Sequence, residues 1–382
     1  MTSSMVPPTA FPQVEQLMKI AGQFSSTAEV KSVSPLGNGN INSTFLVTVS
    51  PVEKSAAARF VLQRINQQVF HQPEQVIQNM VLLSEHLSTQ AAELGCRWDT
   101  PQVLPTQQGK HFWLDENGEY WRAISFIEDA HVCETVENVA QAEAVGAGLA
   151  MFHRLISQMP VHKLADTLPG FHITPTYLAQ YEQVLSQLTQ LNQDSPPQAD
   201  QTHYCLEFIK ARKSWAHVLE KAKAAEHLQL RPIHGDPKVN NMMMGDNGAA
   251  VSLIDLDTLK PGLIHYDIGD CLRSSCNALG EETEDWQHVV FDAELAQAML
   301  RGYLPIAKAF LTDADYEYLY DGIRLIAFEL GLRFFTDYLA GNLYFKVRHP
   351  THNLMRALVQ FKLTESIEAQ EGKLRHIIQA LR

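Results

Sequence analysis

The spacing of apolar residues along the chain changes near residue 136. Before this point, short stretches alternate between apolar and polar residues, which predicts strands; after it, apolar residues recur every three or four positions, which predicts helices. The predicted strands are residues 31–35, 44–50, 59–65, 111–114 and 120–127, with a hairpin of residues 242–244 and 251–254 inside the helical part. The predicted helices include residues 11–24, a segment that begins at Pro73, and residues 140–155.

This order of elements predicts an α+β protein with a β-rich N-terminal lobe, residues 1–128, and a mainly helical C-terminal lobe, residues 129–382. A chain of 382 residues is also too long for one simple core. Residues 192–202 are polar and contain Ser195-Pro196-Pro197, which predicts a flexible loop between helices. A cleft between two such lobes is a common place for a ligand.

Composition narrows the classes of partner. The formal net charge is −13, so neither nucleic acid nor an anionic membrane is expected, because both attract basic surfaces. The five cysteines form no CxxC pair or Cys/His metal pattern, which is typical of reduced intracellular proteins. The sequence begins without a signal-peptide pattern and has no apolar stretch of membrane-spanning length. We therefore expect a cytoplasmic protein, either a monomer or a homodimer.

The candidate chemistry is concentrated in residues 234–241, with the sequence HGDPKVNN, and residues 253–257, with the sequence LIDLD. An Asp followed five positions later by an Asn, and then by an Asp in a short apolar run, is typical of phosphoryl-transfer centres. Asp236 can accept the proton of a substrate hydroxyl. Asn241 and Asp255 offer the oxygen ligands that Mg²⁺ prefers beside the phosphates of ATP.

Neighbouring residues permit more than one interpretation. Lys238 either neutralises the transferred phosphoryl group or is a solvated surface lysine. His234 is expected to fix the backbone of its loop, and Asp267 is expected to cap the helix that follows. Asp257 is predicted to contact the substrate; a second metal ligand and a polar residue on the outer face of the strand are the alternatives.

A glycine-rich turn between the first two strands is the candidate phosphate loop, because glycine permits positive φ and close backbone approach. Its pattern matches neither GxGxxG nor the P-loop. The third strand lacks the lysine that kinases place there, and Arg64 is the nearest cation, with Glu74 or Glu85 as its acid. A simple hairpin turn and an exposed strand-edge arginine are the alternatives. The predicted nucleotide-binding residues here are Gly37, Asn38, Gly39, Asn42 and Arg64.

The motif at residues 234–241 together with residues 253–257 resembles the aminoglycoside phosphotransferase and choline kinase superfamily, which has a protein-kinase-like fold of two lobes. Within that superfamily, the sequence is most similar to the N-acetylhexosamine 1-kinases, which phosphorylate the anomeric hydroxyl of N-acetylglucosamine or N-acetylgalactosamine. The resemblance runs from about residue 30 to about residue 365. Its longest strings are residues 36–45, 61–66, 169–172, 254–258, 333–334 and 336–339.

The resemblance implies roles for individual residues. Asp236 would be the catalytic base, and Asn241 and Asp255 the metal ligands. Arg333 and Tyr344 would face the sugar; alternatively, Arg333 pairs with acids one helical turn away, Glu329 and Asp337, and Tyr344 and Phe345 belong to the core. The implied adenine-side hinge is Phe126, Ile127 and Glu128.

Two departures affect the expected acceptor rather than the chemistry. The hexosamine kinases have His at the position of Asn40 and Asn-Asp-Thr at the position of Gly235-Asp236-Pro237. The sequence therefore predicts an ATP- and Mg²⁺-dependent kinase of a small sugar acceptor. The alternatives are a kinase of an amino sugar, a choline-like compound or an aminoglycoside, and an ATP-binding pseudokinase without activity, which the missing strand lysine favours.

Overall fold

The computed structural model describes residues 13–25, 28–37, 41–50, 58–88, 95–190 and 199–382. The chain divides into two units, residues 1–84 with 101–128, and residues 85–100 with 129–382. The first unit is built on an antiparallel sheet and the second is mainly helical, so the predicted α+β class is confirmed. The roles given to the two parts, and a boundary at residue 128, stay predictions.

The sheet of the first unit has the strand order β1-β2-β3-β6-β4, with β5 beside β6 and every pair antiparallel. The strands predicted at 31–35, 44–50, 59–65 and 120–127 are confirmed to within two residues, whereas 111–114 shortens to two residues. The elements are α1 (Val14–Gly22), β1 (Val30–Pro35), β2 (Ser43–Val49), β3 (Arg59–Arg64), α2 (Pro73–Ser88), β4 (Val103–Leu104), β5 (Trp113–Leu114) and β6 (Tyr120–Ser125).

Helix α1 covers one face of this sheet. Leu17 and Ile20 of the helix pack in one cluster with Phe45, Leu62 and Trp121 of the strands. Burying each of these side chains contributes about 1.5–3 kcal/mol relative to leaving it in water. Because successive strand residues point to opposite faces, the residues between those of the cluster lie on the other side of the sheet.

The second unit contains the remaining helices, a β10-β9-β7 sheet and a β8-β11 pair. The hairpin predicted at 242–244 and 251–254 is confirmed as β9 and β10. The flexible loop predicted at 192–202 has the wrong C-terminal bound, because a helix begins at Ala199 and buries Cys205, Phe208 and Ile209. The rest of that prediction falls within residues 191–198, which lie outside the described residues. The strands are β7 (Ala130–Val132), β8 (Arg231–Ile233), β9 (Met242–Gly245), β10 (Ala250–Leu253) and β11 (Lys260–Gly262). The helices are α3 (Val139–Ile156), α4 (Thr174–Gln190), α5 (Ala199–Arg212), α6 (Val218–Ala224), α7 (Ile264–Ser275), α8 (Ala293–Ala307), α9 (Asp313–Leu339), α10 (His352–Ala369) and α11 (Glu371–Leu381).

Helices α7 and α9 approach each other closely in this unit. A Cβ atom added to Gly269 would lie 2.5 Å from the carbonyl oxygen of Gly322, so only glycine permits the contact. Further along α9, Phe328, Leu332 and Phe335 are fully buried in the core. Helix α7 is therefore fixed against the core, and it carries an aspartate that contacts the loop after β8.

Candidate active site

The loop after β8 carries the HGDPKVNN motif, and Asp267 of α7 holds its backbone. The Asp267 carboxylate accepts the N–H of His234 at 2.7 Å through Oδ2 and the N–H of Gly235 at 2.8 Å through Oδ1. The expectation that Asp267 caps its helix is wrong. Helix α7 begins at Ile264, with Leu263 in the N-cap position, so Asp267 lies about one turn inside the helix and its carboxylate faces the loop.

Asp267 is itself held by a buried histidine. His153 of α3 contacts Asp267 Oδ2 through Nε2 at 2.9 Å and the hydroxyl of Tyr303 through Nδ1 at 2.7 Å. Burial favours a higher pKa for the Asp267 carboxyl, but the hydrogen bond and charge of His153 outweigh it and lower the pKa. Asp267 therefore stays ionised, which suits an acceptor of several hydrogen bonds.

His234 fixes the loop from within, as the sequence predicts. Its Nδ1 accepts the N–H of Asp236 at 3.2 Å, so Nε2 carries the proton and donates to the carbonyl of Ile254 at 2.9 Å. Burial lowers the pKa of His234, which is consistent with a neutral ring. The bond to Ile254 ties the loop to the segment that contains Asp255.

Gly235 is at the tightest point of the loop. Its φ is +88°, and an added Cβ atom would lie 2.6 Å from the carbonyl oxygen of Thr258. Its own carbonyl oxygen lies 2.6 Å from Nε2 of His172. In this structure the loop therefore requires glycine at position 235.

Asp236 and Lys238 form an ion pair, with Nζ 2.8 Å from Oδ2. The charge of Asp236, and to a lesser degree that of Asp255, raises the pKa of Lys238. The Lys238 side chain is 35% exposed, so it is an ion-paired, partly solvated lysine, and both interpretations of it stay open. Among the described residues, Asp236 Oδ1 has no hydrogen-bond partner, so this oxygen remains for a substrate hydroxyl. The catalytic roles of both residues stay predictions.

Asn241 and Asp255 lie at the open end of the β9–β10 hairpin. The N–H of Ile254 donates to the carbonyl of Asn241 at 2.9 Å, which brings the two segments side by side. Asn241 Nδ2 donates to the carbonyl of Asp236 at 2.8 Å, and within the described parts of the chain Oδ1 has no partner. Asp255 has a left-handed backbone, with φ 64° and ψ 57°, a strained conformation that is often found at functional sites.

This donor set fits Mg²⁺. An amide oxygen and a carboxylate are hard ligands, and Mg²⁺ in kinase sites completes its shell with water and phosphate oxygens. Within the described ranges, His, Cys, Asp and Glu form no cluster of three or more that would hold a metal ion alone.

Asp257 is buried in the short turn Leu256–Thr258, with 2% of its surface exposed. Its carbonyl accepts the hydroxyl of Thr167 at 2.9 Å. The alternative of a polar residue on an outer face is therefore wrong. Contact with the substrate and a second metal ligand both stay predictions.

Arg333 of α9 lies among aromatic rings. Its guanidinium carbon is 5.2 Å from the ring centre of Phe171, 4.9 Å from that of Tyr177 and 5.5 Å from that of Phe345. Burial favours a lower pKa for Arg333, but Tyr177 and Glu329, with smaller contributions from Tyr344 and Asp236, raise it. Arg333 therefore keeps its positive charge among these rings.

The alternative that Arg333 pairs along its helix is wrong. Glu329 accepts hydrogen bonds from His172 at 2.9 Å and Thr174 at 2.6 Å, whereas Asp337 binds the loop that follows α9. Among the described residues, Arg333 has no carboxylate within ion-pair distance. A guanidinium without a carboxylate partner suits a neutral or anionic ligand.

The loop after α9 presents Tyr344. Asp337 Oδ1 accepts the N–H groups of Leu343 and Tyr344, and Oδ2 accepts that of Phe345, each at 2.8 to 2.9 Å. The Tyr344 side chain is 58% exposed, so the interpretation as a core residue is wrong for it, whereas Phe345 is half-buried against Phe334. Contact of Tyr344 with a substrate stays a prediction.

The candidate nucleotide residues belong to the first unit. Gly37 has φ +69°, as a tight turn requires, whereas Asn38, Gly39 and Asn40 lie outside the described residues. Asn42 Oδ1 accepts the N–H of Asn66 at 3.0 Å, which joins the end of the turn to the end of β3. In the hinge segment, Glu128 pairs with Arg59, and Arg59 lies 4.4 Å over the ring of Phe126. Ile127 is buried.

Strand register gives the face of the sheet on which each cation lies. Arg64 pairs with Ser43 and Trp121 and shares their face, which α1 covers, and its Nη2 donates to Ser43 Oγ at 3.2 Å. Gln63 and Arg122 lie on the opposite face, where Arg122 Nη2 donates to Gln63 Oε1 at 2.7 Å. Of the two candidate acids, Glu74 accepts the hydroxyl of Tyr120. The role of Arg64 stays a prediction.

Sequence reasoning missed His172, Glu329 and Arg122. His172 is part of a string that carries the family resemblance, but no spacing connects it with Gly235, which is 63 positions away. Arg122 lies on a strand whose alternation is plain in the sequence. Its neighbour Gln63 follows only from the register of that strand with β3, which alternation does not give.

A comparison with protein families matches residues 32–317 to the phosphotransferase enzyme family. The chain belongs to this family. Three structures similar to this phosphotransferase show the same fold, at identities too low to indicate more. The first is an aminoglycoside phosphotransferase from Alicyclobacillus acidocaldarius, with 14% identity, a TM-score of 0.61, and 97% of this chain and 98% of that chain covered. The second is a microcompartment-associated aminopropanol kinase, with 14% identity, a TM-score of 0.54, and 94% of this chain and 98% of that chain covered. The third is spectinomycin phosphotransferase in complex with ADP and spectinomycin, with 14% identity, a TM-score of 0.53, and 94% of this chain and 99% of that chain covered.

None of the helices described for this phosphotransferase combines the length and the apolar composition that crossing a membrane requires.

Proposed function

We propose that this phosphotransferase transfers the γ-phosphoryl group of ATP to the anomeric hydroxyl of an N-acetylhexosamine. The observation that carries the proposal is the position of Asp236. One carboxylate oxygen is held by Lys238 at 2.8 Å, and the other has no partner among the described residues. The nucleotide is supported by a similar structure that holds ADP.

In this mechanism Asp236 Oδ1 accepts the proton of the sugar hydroxyl as its oxygen attacks the γ-phosphorus and ADP leaves. The loose transition state of phosphoryl transfer puts little demand on a strong base. Lys238 keeps the carboxylate oriented and places a positive charge beside the transferred group. Asn241 and Asp255 would hold Mg²⁺, which neutralises phosphate charge when bound.

The acceptor is supported by Arg333 and its rings. A sugar offers hydroxyl and acetamido oxygens that accept from a guanidinium, and apolar ring faces that pack on Phe171 and Tyr177. A cationic acceptor such as an amine would be repelled by Arg333 and Lys238, which is why we place amino compounds second.

The direct test is phosphate transfer to N-acetylglucosamine and N-acetylgalactosamine, with the product position read by NMR. We expect a 1-phosphate from at least one of them. Transfer to aminoalcohols or aminoglycosides alone would reject the hexosamine and keep the kinase. Nucleotide binding without transfer to any acceptor would favour a pseudokinase.

The base is tested by Asp236→Asn, which keeps the size of the side chain and removes its charge. We expect transfer to be lost while ATP binding, measured by calorimetry, is largely retained. Asp246→Asn is the matched control, because Asp246 is an exposed aspartate at the tip of the β9–β10 hairpin. Equal activity in the two variants would contradict the assignment of Asp236.

A further inference from the structure

His172 lies between two acceptors. Its Nε2 is 2.6 Å from the carbonyl oxygen of Gly235, and its Nδ1 is 2.9 Å from Glu329 Oε1. A carbonyl oxygen can only accept a hydrogen bond, so Nε2 must carry a proton. Glu329 also accepts the hydroxyl of Thr174 through Oε2 at 2.6 Å. Opposite an ionised Glu329, Nδ1 donates as well, and a ring that donates from both nitrogens is an imidazolium.

The surroundings hold this ring rigidly. His172 is 5% exposed and has a left-handed backbone with φ 64°, a conformation that costs about 1–3 kcal/mol and persists only where other contacts enforce it. The Phe171 ring lies 4.0 Å from the ring of His172 between centres, and the Tyr266 ring stacks on it at 5.3 Å. Few side chains other than histidine could make both hydrogen bonds from this backbone.

The charged and titratable groups around His172 favour its proton. Burial favours a lower pKa, but the charge and hydrogen bond of Glu329 on α9, with a smaller contribution from Asp270 on α7, raise it. Tyr266 and Tyr177 are the other titratable neighbours, and burial raises the pKa of both, so they stay neutral near pH 7. Arg333 of α9 lies over the neighbouring Phe171 ring, 5.2 Å from its centre.

We propose that His172, as an imidazolium held by Glu329, positions the carbonyl of Gly235 and through it the candidate base Asp236. Asp267 holds the N–H groups of His234 and Gly235, and His172 holds the carbonyl of Gly235, so the residue before Asp236 is fixed on both sides. Loss of the proton from His172 removes one of its two hydrogen bonds and leaves the Glu329 carboxylate buried without its cation. This inference rests on the proposed role of Asp236 but not on the identity of the acceptor.

The protonation state can be read without activity. Long-range proton–nitrogen NMR of the imidazole rings, assigned by comparison with His172→Gln, should show His172 protonated on both nitrogens at pH 7. In Glu329→Gln the same resonances should titrate at lower pH. A neutral His172 ring at pH 7, or a titration that Glu329→Gln leaves in place, would overturn the proposal whatever reaction the protein catalyses.

The kinetic arm asks whether the proton matters for turnover. With the best acceptor from the panel, kcat of the wild type should fall on the alkaline side as His172 loses its proton. Glu329→Gln should move this alkaline limb to lower pH, and His172→Gln should abolish it and lower kcat at every pH. Thermal unfolding at each pH separates this effect from loss of fold. An alkaline limb that both variants leave unchanged would also overturn the proposal.

His265 provides the matched control. It is a buried histidine of α7 whose Nε2 contacts the carbonyl of Asp315 at 2.9 Å, and its pKa is lowered by burial. His265→Gln should reduce stability without moving the alkaline limb. If His265→Gln shifted the limb as Glu329→Gln does, the effect would belong to general destabilisation, and the proposal would be rejected.

Discussion

Replacing Asp267 by Asn should disturb the loop that carries Asp236, although the two side chains have almost the same shape. The carboxylate accepts two backbone N–H groups, and His153 contacts it as well. An Asn side chain has one acceptor oxygen, so its amide nitrogen must oppose one of the buried N–H groups. Leaving a buried N–H without its acceptor costs about 1–3 kcal/mol, and more where the lost acceptor is charged, which is a sizeable part of the stability of an ordinary protein.

Asp315→Asn is the control, because it should cost a similar free energy of unfolding at a site away from the motif. Asp315 of α9 is equally buried and accepts the N–H and hydroxyl of Thr312 and the guanidinium of Arg231. Asp315→Asn should therefore reduce stability to a similar extent. The Asp315 side chain contacts Thr312 and Arg231 rather than the residues of the HGDPKVNN motif, so kcat per folded molecule should change little in Asp315→Asn. In Asp267→Asn, a shift of the base by about 1 Å would lower kcat by about a hundredfold.

The assay is urea unfolding together with steady-state kinetics for both variants at temperatures where each is folded. The pH dependence gives a second check. The folded pKa of Asp267 lies below its unfolded value of about 3.9, so its contribution is complete above that value and is lost as pH falls through the folded pKa. The difference in stability between wild type and variant should therefore be constant near pH 7 and shrink below about pH 4. Equal kcat in the two variants would refute the role of Asp267 in positioning the loop.

Three further predictions concern the candidate site. Gly235→Ala should abolish turnover and destabilise the fold, because its Cβ meets the carbonyl of Thr258 at 2.6 Å; a soluble, active variant would show that the loop can move. Asp255→Asn should keep the fold, because Asn tolerates the left-handed conformation, but it should raise the Mg²⁺ concentration needed for half-maximal rate. Asp255→Ala should raise that concentration and also reduce stability. Arg64→Met should raise the KM for ATP, because Arg64 is the predicted phosphate-binding cation. If Arg122→Met raises the KM and Arg64→Met does not, the phosphate-binding cation is Arg122, on the other face of the sheet.

The sequence predicts most of the longer elements, but not the short strands β4, β7, β8 and β11. Alternation and helical periodicity report which face of an element is buried, so β2, β3, β6 and α3 are predictable nearly to their ends. The spacing of Asp236, Asn241 and Asp255 reports a local loop and hairpin, and the structure brings Asn241 and Asp255 to one end of that hairpin. Both kinds of information are local along the chain.

What the sequence cannot supply is the set of contacts that hold those groups in place. Aspartate near a helix start is usually a cap, which is the basis for that prediction at Asp267, whereas the fold turns it toward a backbone 33 positions away. Arg333 has acids at the right spacing on its own helix, yet both acids bind partners from other segments. Such choices are made by tertiary packing, in which each buried acid takes the donors that its environment offers.

Asp267 and His172, which both hold the loop that carries Asp236, differ in how they respond to pH, because one is an acid and the other is a base. Asp267 is an acid whose ionised form is stabilised, so its hold on the N–H groups weakens only in strong acid. His172 is a base whose protonated form is stabilised, so its hold on the carbonyl of Gly235 is complete below its ordinary pKa of about 6.5 and weakens as pH rises through its higher folded value. Asp267 therefore still holds the amides at alkaline pH, where deprotonation of His172 removes one of the two hydrogen bonds of the imidazole and with it the charge that pairs with Glu329.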